Sequence, residues 1–274
     1  MKTGRPSEQS PGLPVITLLT DFGTTDYFTA ALKGVVLSLN SSAVIVDLTH
    51  DIPPHDIEAA AFTLLASYRS FPDKTIHVAV VDPGVGSSRR PILVSGGGQF
   101  FVGPDNGIFS YIYESEPVHQ TIHLTEEQYF RHPVSATFHG RDIFAPVAAA
   151  LSKGINPTSF GTVVTDEVRL EPLRPGIKGS KVLGRILHID RFGNCITNIK
   201  QENLRKEKEP MARLLVNGKT IKRFKTFFEE ERERENIFAI WGSAGFLEIA
   251  ASNRSAAELL NAKRGQAVIL TVDP

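Results

Sequence analysis

Strand-like and helix-like runs alternate from Val15 to Val81, and no other feature of the chain narrows its fold as much. Val15 to Leu19 is a short β-rich run, Tyr27 to Leu39 carries apolar residues at helical spacing, Ala43 to Leu48 is strand-like, Ile57 to Tyr68 helix-like and Thr75 to Val81 strand-like again. Strands separated by helices predict crossover connections and therefore parallel pairing. The near-continuous apolar character of V-I-V-D-L and I-H-V-A-V-V predicts strands covered on both faces. Ile92 to Ser95 and Phe100 to Val102 flank Gly96-Gly97-Gly98 and read as a hairpin, and Asp142 to Leu151 reads as the last helix of this part. The expectation is an α/β N-terminal domain over residues 15–172 with a mainly parallel central sheet.

The pattern changes after Glu171. E-P-L-R-P-G-I-K-G-S has two prolines, two glycines and no hydrophobic period, so 173–180 reads as a linker. Beyond it, Val182 to Ile189, Leu214 to Val216, Ile237 to Trp241, Phe246 to Ala250 and Val268 to Val272 are short and β-branched or alternating, with Ala256 to Leu260 the clearest helix. A smaller, mostly β, barrel-like C-terminal domain over 181–274 is expected. Glu229 to Glu235 reads as an exposed charged loop or helix end, and residues 1–14 as a polar, disordered tail without the apolar core of a signal peptide.

Composition excludes several function classes. Thirty basic and thirty acidic residues cancel, which argues against a nucleic-acid partner. No run of about 18 apolar residues offers a membrane span. A single cysteine, Cys195, excludes an intrachain disulfide and a cysteine metal cluster within one chain, and fits a cytoplasmic setting.

Chemistry is suggested where strands end. V-V-D-P-G-V-G-S-S-R-R, Val80 to Arg90, runs an apolar strand into an acid, a Pro-Gly turn and two arginines. Alone, Asp82 would be a turn residue and the arginines solvated. Asp21, Asp26, Asp51 and Asp82 all sit at strand ends or in the turns beyond, and the carboxyl ends of parallel strands line one edge of a sheet. Asp21 or Asp26 could hold a ribose diol, because a carboxylate accepts two hydrogen bonds; Asp26 could equally cap the helix that follows. T-F-H-G-R-D places His139 before a helix, and H-I-D-R-F-G-N offers Phe192 to stack on a heterocycle and Asn194 to pair with it. His50, His55, Asp82 and His139 could in principle meet at a metal, yet no H-E-x-x-H, H-x-H or cysteine pair occurs. G-x-G-x-x-G after the first strand, a Walker lysine motif and G-x-S-x-G are absent too.

Together, T-D-F-G-T-T-D-Y (20–27), V-D-P-G-V-G-S-S-R-R (81–90), P-D-N-G (104–107), F-H-G-R-D-I-F-A-P (138–146), D-R-F-G-N-C-I-T-N (190–198) and G-S-A-G-F-L-E-I-A (242–250) closely resemble one family, in family order. It is the S-adenosyl-L-methionine hydroxide adenosyltransferases, or SAM hydrolases, relatives of the fluorinase and chlorinase. The resemblance implies attack of water or hydroxide on ribose C5′ of S-adenosyl-L-methionine, giving adenosine and methionine, with no cofactor. It implies an Asp-Arg-His set at Asp82, Arg89 and His139. It also implies substrate contacts at Asp21 (ribose), Asp190 and Ser243 (the methionine end), and Phe192, Asn194 and Phe228 (adenine), with Asn198 a looser match. Family members are homotrimers whose pocket lies between the N-terminal domain of one subunit and the C-terminal domain of its neighbour.

Departures separate the subfamilies. The halogenases carry tyrosine and serine at the positions of His139 and Gly140, a non-acidic residue at that of Asp82 and an arginine at that of Ala244. His55 falls where they place an aromatic residue against the sugar. A carboxylate at Asp82 would repel a halide, so halide chemistry is disfavoured. The alternatives kept beside hydrolysis are a non-catalytic SAM or adenosine sensor, a halogenase and a metal-dependent hydrolase.

Overall fold

The computed structural model describes residues 12–204, 211–226 and 237–272. The chain divides into two units between Glu171 and Pro172. In the first, the chain order is β1 (Val15–Thr20), α1 (Phe28–Leu39), β2 (Val44–Thr49), α2 (Ile57–Ser67), β3 (Ile76–Val80), β4 (Pro91–Gly96), β5 (Gln99–Pro104), α3 (Ser110–Ser115), β6 (His119–Leu124), α4 (Ala145–Ser152) and β7 (Gly161–Val164).

The sheet order is β2-β1-β3-β5-β4-β6-β7. The β2-β1-β3-β5 half is parallel, whereas β5-β4, β4-β6 and β6-β7 are antiparallel. The expected mainly parallel sheet is therefore corrected to a mixed one. A tight Gly97-Gly98 turn returns β4 directly onto β5, and a hairpin is necessarily antiparallel. β1 and β3 are buried along nearly their whole length, as apolar strands covered on both faces should be. β2 is the exception: it forms the sheet edge and is only half-buried, so its apolar run did not imply two covered faces.

Helices flank both faces. Leu32 and Val36 of α1 and Val147 and Ala148 of α4 share a core with Ile16, Leu18, Val78 and Val80. Ala59, Ala60 and Leu64 of α2 and Ile112 of α3 pack with Leu19, Ala79, Val81 and Phe101. The expected helix from Asp142 begins instead as one π-helical turn, Gly140–Phe144, and continues as α4, with Pro146 just past the junction of the two.

The second unit contains β8 (Gly176–Lys178), β9 (Lys181–Ile189), β10 (Cys195–Lys200), β11 (Ala212–Val216), β12 (Lys219–Ile221), β13 (Phe224–Lys225), β14 (Ile237–Trp241), β15 (Phe246–Ala251), α5 (Ala256–Leu260) and β16 (Ala267–Val272). Its strand order is β12-β11-β16-β9-β10-β15-β14-β13, with β8 added on β9. The sheet curves enough to bring β12 near β14, but among the described residues the ladder has two ends. It is a half-barrel around Ile186, Ile199, Leu214, Leu247 and Val268. β8 lies inside the stretch read as a linker. The charged run 229–235 and the first eleven residues lie outside the described residues.

Candidate active site

β1 and β3 are adjacent parallel strands, so the residues just past their carboxyl ends emerge side by side. Asp21 follows β1, Asp82 lies two residues beyond β3, and both line a cleft of about 310 Å³. Phe22, Phe28, Pro54, His55, Val80, Val85, Thr137, Phe138, His139 and Gly140 complete its walls.

Asp82, Arg89 and His139 form a continuous chain of hydrogen bonds. Arg89 Nε donates to both Asp82 oxygens at 2.9 and 3.0 Å, and its Nη2 donates to Oδ2 as well. The same Nη2 lies 2.9 Å from His139 Nδ1. A guanidinium has donors and no lone pair, so Nδ1 must accept, which leaves the ring proton on Nε2 and the imidazole neutral. Burial, and secondarily the Arg89 charge, hold the His139 pKa below the usual histidine value. The Arg89 and Asp82 side chains are only 9% and 5% exposed. Arg89 also lies over the Phe144 ring at 5.3 Å, and its Nη1 is buried without a hydrogen-bond partner among the described residues.

Two devices bring the loops bearing these groups together. Gly86 has φ +77°, and a Cβ there would lie 2.2 Å from the Ala136 carbonyl oxygen, so glycine alone lets the Asp82–Arg89 loop touch the backbone leading to His139. Asp142 is fully buried, accepts from the Ser135 N–H at 2.9 Å and pairs with Arg141 at 2.7 Å. Burial alone would raise its pKa, yet the Arg141 and Ser135 hydrogen bonds hold it below the usual carboxylate value. Sequence reading passed over Asp142, although its place inside F-H-G-R-D was the available signal.

On the other wall, Asp21 Oδ2 accepts the His55 N–H at 2.9 Å. Phe22, Phe28 and Phe138 form an aromatic cluster with ring centroids 5.2 to 6.0 Å apart, Phe138 meeting the other two edge-on. Phe22 and Phe138 lie within the quoted motifs and Phe28 directly follows the first of them, yet sequence reading assigns none of the three a role. Asp26 and Asp51 are exposed and do not line the cleft, and Asp26 does not cap α1, whose first turn has no side-chain cap. His50 is buried against Thr20 at 2.9 Å. Among the described residues no three His, Cys, Asp or Glu side chains are grouped to hold a metal. Arg90 is not simply solvated: it pairs with Asp105 at 2.6 Å and Asp166 at 2.7 Å.

In the second unit, Asp190, Phe192 and Asn194 share one turn between β9 and β10. Asp190 Oδ1 accepts the Phe192 and Asn194 N–H groups at 2.9 and 2.8 Å, and Oδ2 accepts from the Asn194 side chain at 2.8 Å. Gly193 has φ +83° and abuts Ser255, closing the turn against α5. Phe192 is left 78% exposed and Asn194 buried. Ser243 is exposed in the turn between β14 and β15, while Asn198 is buried on β10 and accepts the Arg185 N–H at 2.7 Å. Phe228 lies outside the described residues.

An aromatic cleft lined by two carboxylates and two imidazoles, that of His139 neutral, and among the described residues by Thr137 as its one hydroxyl side chain, is built to orient a bound water more readily than to supply a side-chain nucleophile. Comparison with known proteins agrees in kind. The model of the SAM hydroxide adenosyltransferase N-terminal domain matches residues 16–161, and that of its C-terminal domain residues 184–269. The chain is 36% identical to the (R)-S-adenosyl-L-methionine hydrolase of Methanocaldococcus jannaschii, over 91% of this chain and 92% of that one. It is 26% identical to a fluorinase of Actinoplanes sp., over 95% and 98%. A crystal structure of an uncharacterized conserved protein from Thermotoga maritima superposes with a TM-score of 0.86 at 32% identity, covering 93% of this chain and 99% of that one.

Proposed function

The chain belongs to the SAM hydroxide adenosyltransferase family, and from that premise we propose that it hydrolyses S-adenosyl-L-methionine to adenosine and L-methionine. The observation that carries this reading is Arg89 bridging Asp82 to a neutral His139 beside an aromatic cleft.

The chemistry asks little of the leaving group. Methionine departs as a neutral thioether, taking the electron pair of the C5′–S bond, so neither an acid nor a metal is needed there. The demand falls on the nucleophile. His139 Nε2–H donates to the water oxygen and fixes its position, and the Asp82–Arg89 pair holds the imidazole in the tautomer that can do so. As the water oxygen bonds to C5′ it becomes a protonated alcohol, a strong acid, for which a carboxylate is base enough. Arg89 has no lone pair and His139 Nδ1 is engaged, so Asp82 is the member of the set that takes the proton. Asp21 holds the ribose diol. The Asp82 carboxylate, beside the nucleophile, disfavours a halide in that place.

The remaining roles follow the family resemblance: Asp190 and Ser243 at the methionine end, Phe192, Asn194 and Phe228 at adenine, in a cytoplasmic homotrimer whose pockets form between neighbouring subunits. The test is direct. Purified protein incubated with S-adenosyl-L-methionine releases adenosine and methionine in equal amounts, and added fluoride or chloride yields no halogenated nucleoside. No product above the uncatalysed background, despite tight binding, would instead make it a sensor.

A further inference from the structure

None of the residues of P-D-N-G, 104–107, lines the cleft. The turn they make follows β5, which pairs in parallel with β3, so it emerges beside the residues that follow β3. Val81 lies past the last paired residues of β3, Val80 with Thr20 on one side and Val78 with Val102 on the other, and it is fully buried. Its carbonyl accepts the Asn106 Nδ2–H at 2.9 Å, while Asn106 Oδ1 accepts the N–H of the buried Ile108 at 3.2 Å. Asp105 takes the other end of the same loop. Its N–H donates to the Arg90 carbonyl at 2.9 Å, and its Oδ2 accepts from Arg90 Nε at 2.9 Å and Nη2 at 2.6 Å. Asp105 is itself buried, with Oδ1 accepting the Val168 N–H at 2.8 Å. Between these ends the loop is folded on itself, by the Val85 N–H on the Asp82 carbonyl at 3.2 Å and the Ser87 N–H on the Gly84 carbonyl at 3.1 Å.

Resting on the hydrolase reading above, we propose that Asn106 and Asp105 are positioning residues for the reaction: they pin the residues on either side of the 82–89 loop and so set where Asp82 and Arg89 meet His139. Neither lines the cleft, so both act through the loop. A loop stiffened by its own turns moves as a body, and two fixed ends leave it little room to shift. A displacement of about 1 Å would take Arg89 Nη2 out of hydrogen-bonding reach of His139 Nδ1, now 2.9 Å away. Asparagine suits position 106 because its amide donates to Val81 and accepts from Ile108 at once, whereas aspartate has the same shape and no donor.

Asn106→Asp keeps the shape and the bond from Ile108 but loses the donor, and Asn106→Ala loses both groups without adding charge. Each lowers kcat roughly ten- to a hundredfold, while KM for S-adenosyl-L-methionine stays within about a factor of two, because Asn106 does not meet the substrate. Asp105→Asn, which weakens the hold on Arg90, lowers kcat in the same way and to a smaller extent. Wild-type kcat in a folded Asn106→Asp or Asp105→Asn protein overturns the role of that residue. A second readout separates positioning from plain loss of stability. Burial and the Arg89 charge hold the His139 pKa low, against the opposite pull of Asp82 and Asp142, and both weaken when the loop loosens. The His139 ring-proton resonance, identified by its absence from His139→Ala, therefore titrates at higher pH in Asn106→Ala than in the wild type. Tyr68→Phe is the comparison: it removes hydrogen bonds to Ser115 and Glu116 ahead of β3, lowers the melting temperature as well, and leaves kcat and the His139 midpoint in place. An unmoved midpoint in Asn106→Ala, or an equal shift in Tyr68→Phe, overturns the proposal. The titration needs no turnover, so a wild type that releases no adenosine defeats the hydrolase reading alone, and the midpoint still decides whether Asn106 holds the loop.

Discussion

Arg89 is the residue on which the rest of the cleft depends, because a single nitrogen serves both neighbours: Nη2 donates to Asp82 and to His139. Replacing it with methionine leaves the Asp82 carboxylate buried without its cation and frees the His139 tautomer. On the proposed reaction, Arg89→Met, Asp82→Asn and His139→Ala each lower kcat by roughly 10²–10³, about 3–4 kcal/mol, with smaller changes in KM; steady-state kinetics on adenosine release measures this. The pH dependence has a definite sign. His139 works neutral, and its pKa lies below the ordinary 6.5, so activity persists as pH falls through that value and the acid limb of kcat/KM lies lower. Removing the Arg89 charge moves the His139 titration upward, which a proton NMR titration of Arg89→Met reads directly. A midpoint unmoved or lowered would contradict the electrostatic role of Arg89.

Elements act here through how closely they approach. The Asp82–Arg89 loop meets the strand of chain before His139 only because Gly86 has no Cβ. Gly86→Ala combines a strained positive φ with a backbone clash, so both the melting temperature and kcat fall, the latter by tenfold or more; circular dichroism melts and kinetics on the same sample separate the two losses. Within β3, His77 is buried between Thr17 at 2.7 Å and Gln99 at 2.8 Å, and burial lowers its pKa to about 4. Its folded-state pKa is depressed, so between about 6.5 and about 4 the unfolded chain binds a proton that the native state refuses, and stability is lost as pH falls through that window. The loss is on the order of 3 kcal/mol. His77→Gln flattens this part of the stability–pH profile in urea melts; an equally steep profile would show that the acid sensitivity arises elsewhere.

For the whole molecule, the proposed reaction needs no metal, so hydrolysis persists after thorough chelation. The proposed homotrimer gives a light-scattering mass of three chains, against which a monomer mass would count decisively. Much of this was legible in the chain itself: periodicity located β1, α1, α2 and β3, and strand ends located Asp21 and Asp82, because burial on both faces writes apolar runs into the sequence. Motifs carried the family. The glycine turn announced the antiparallel β4–β5 hairpin, but the pairing of β4 with β6 and of β6 with β7 could not be read the same way, since short strands look locally alike and their partners are chosen by turns and neighbours. Asp26, equal to Asp21 in pattern, proved to lie outside the cleft, and V-I-V-D-L proved to be an edge. The sequence alone determined which residue types were available for chemistry and roughly where strands would deliver them. Only the tertiary structure decided that one arginine nitrogen is shared by an acid and an imidazole, which tautomer results, and that Asn106 ties down the carbonyl just before Asp82, because each of these is a contact between segments whose separation along the chain hides it from any local pattern.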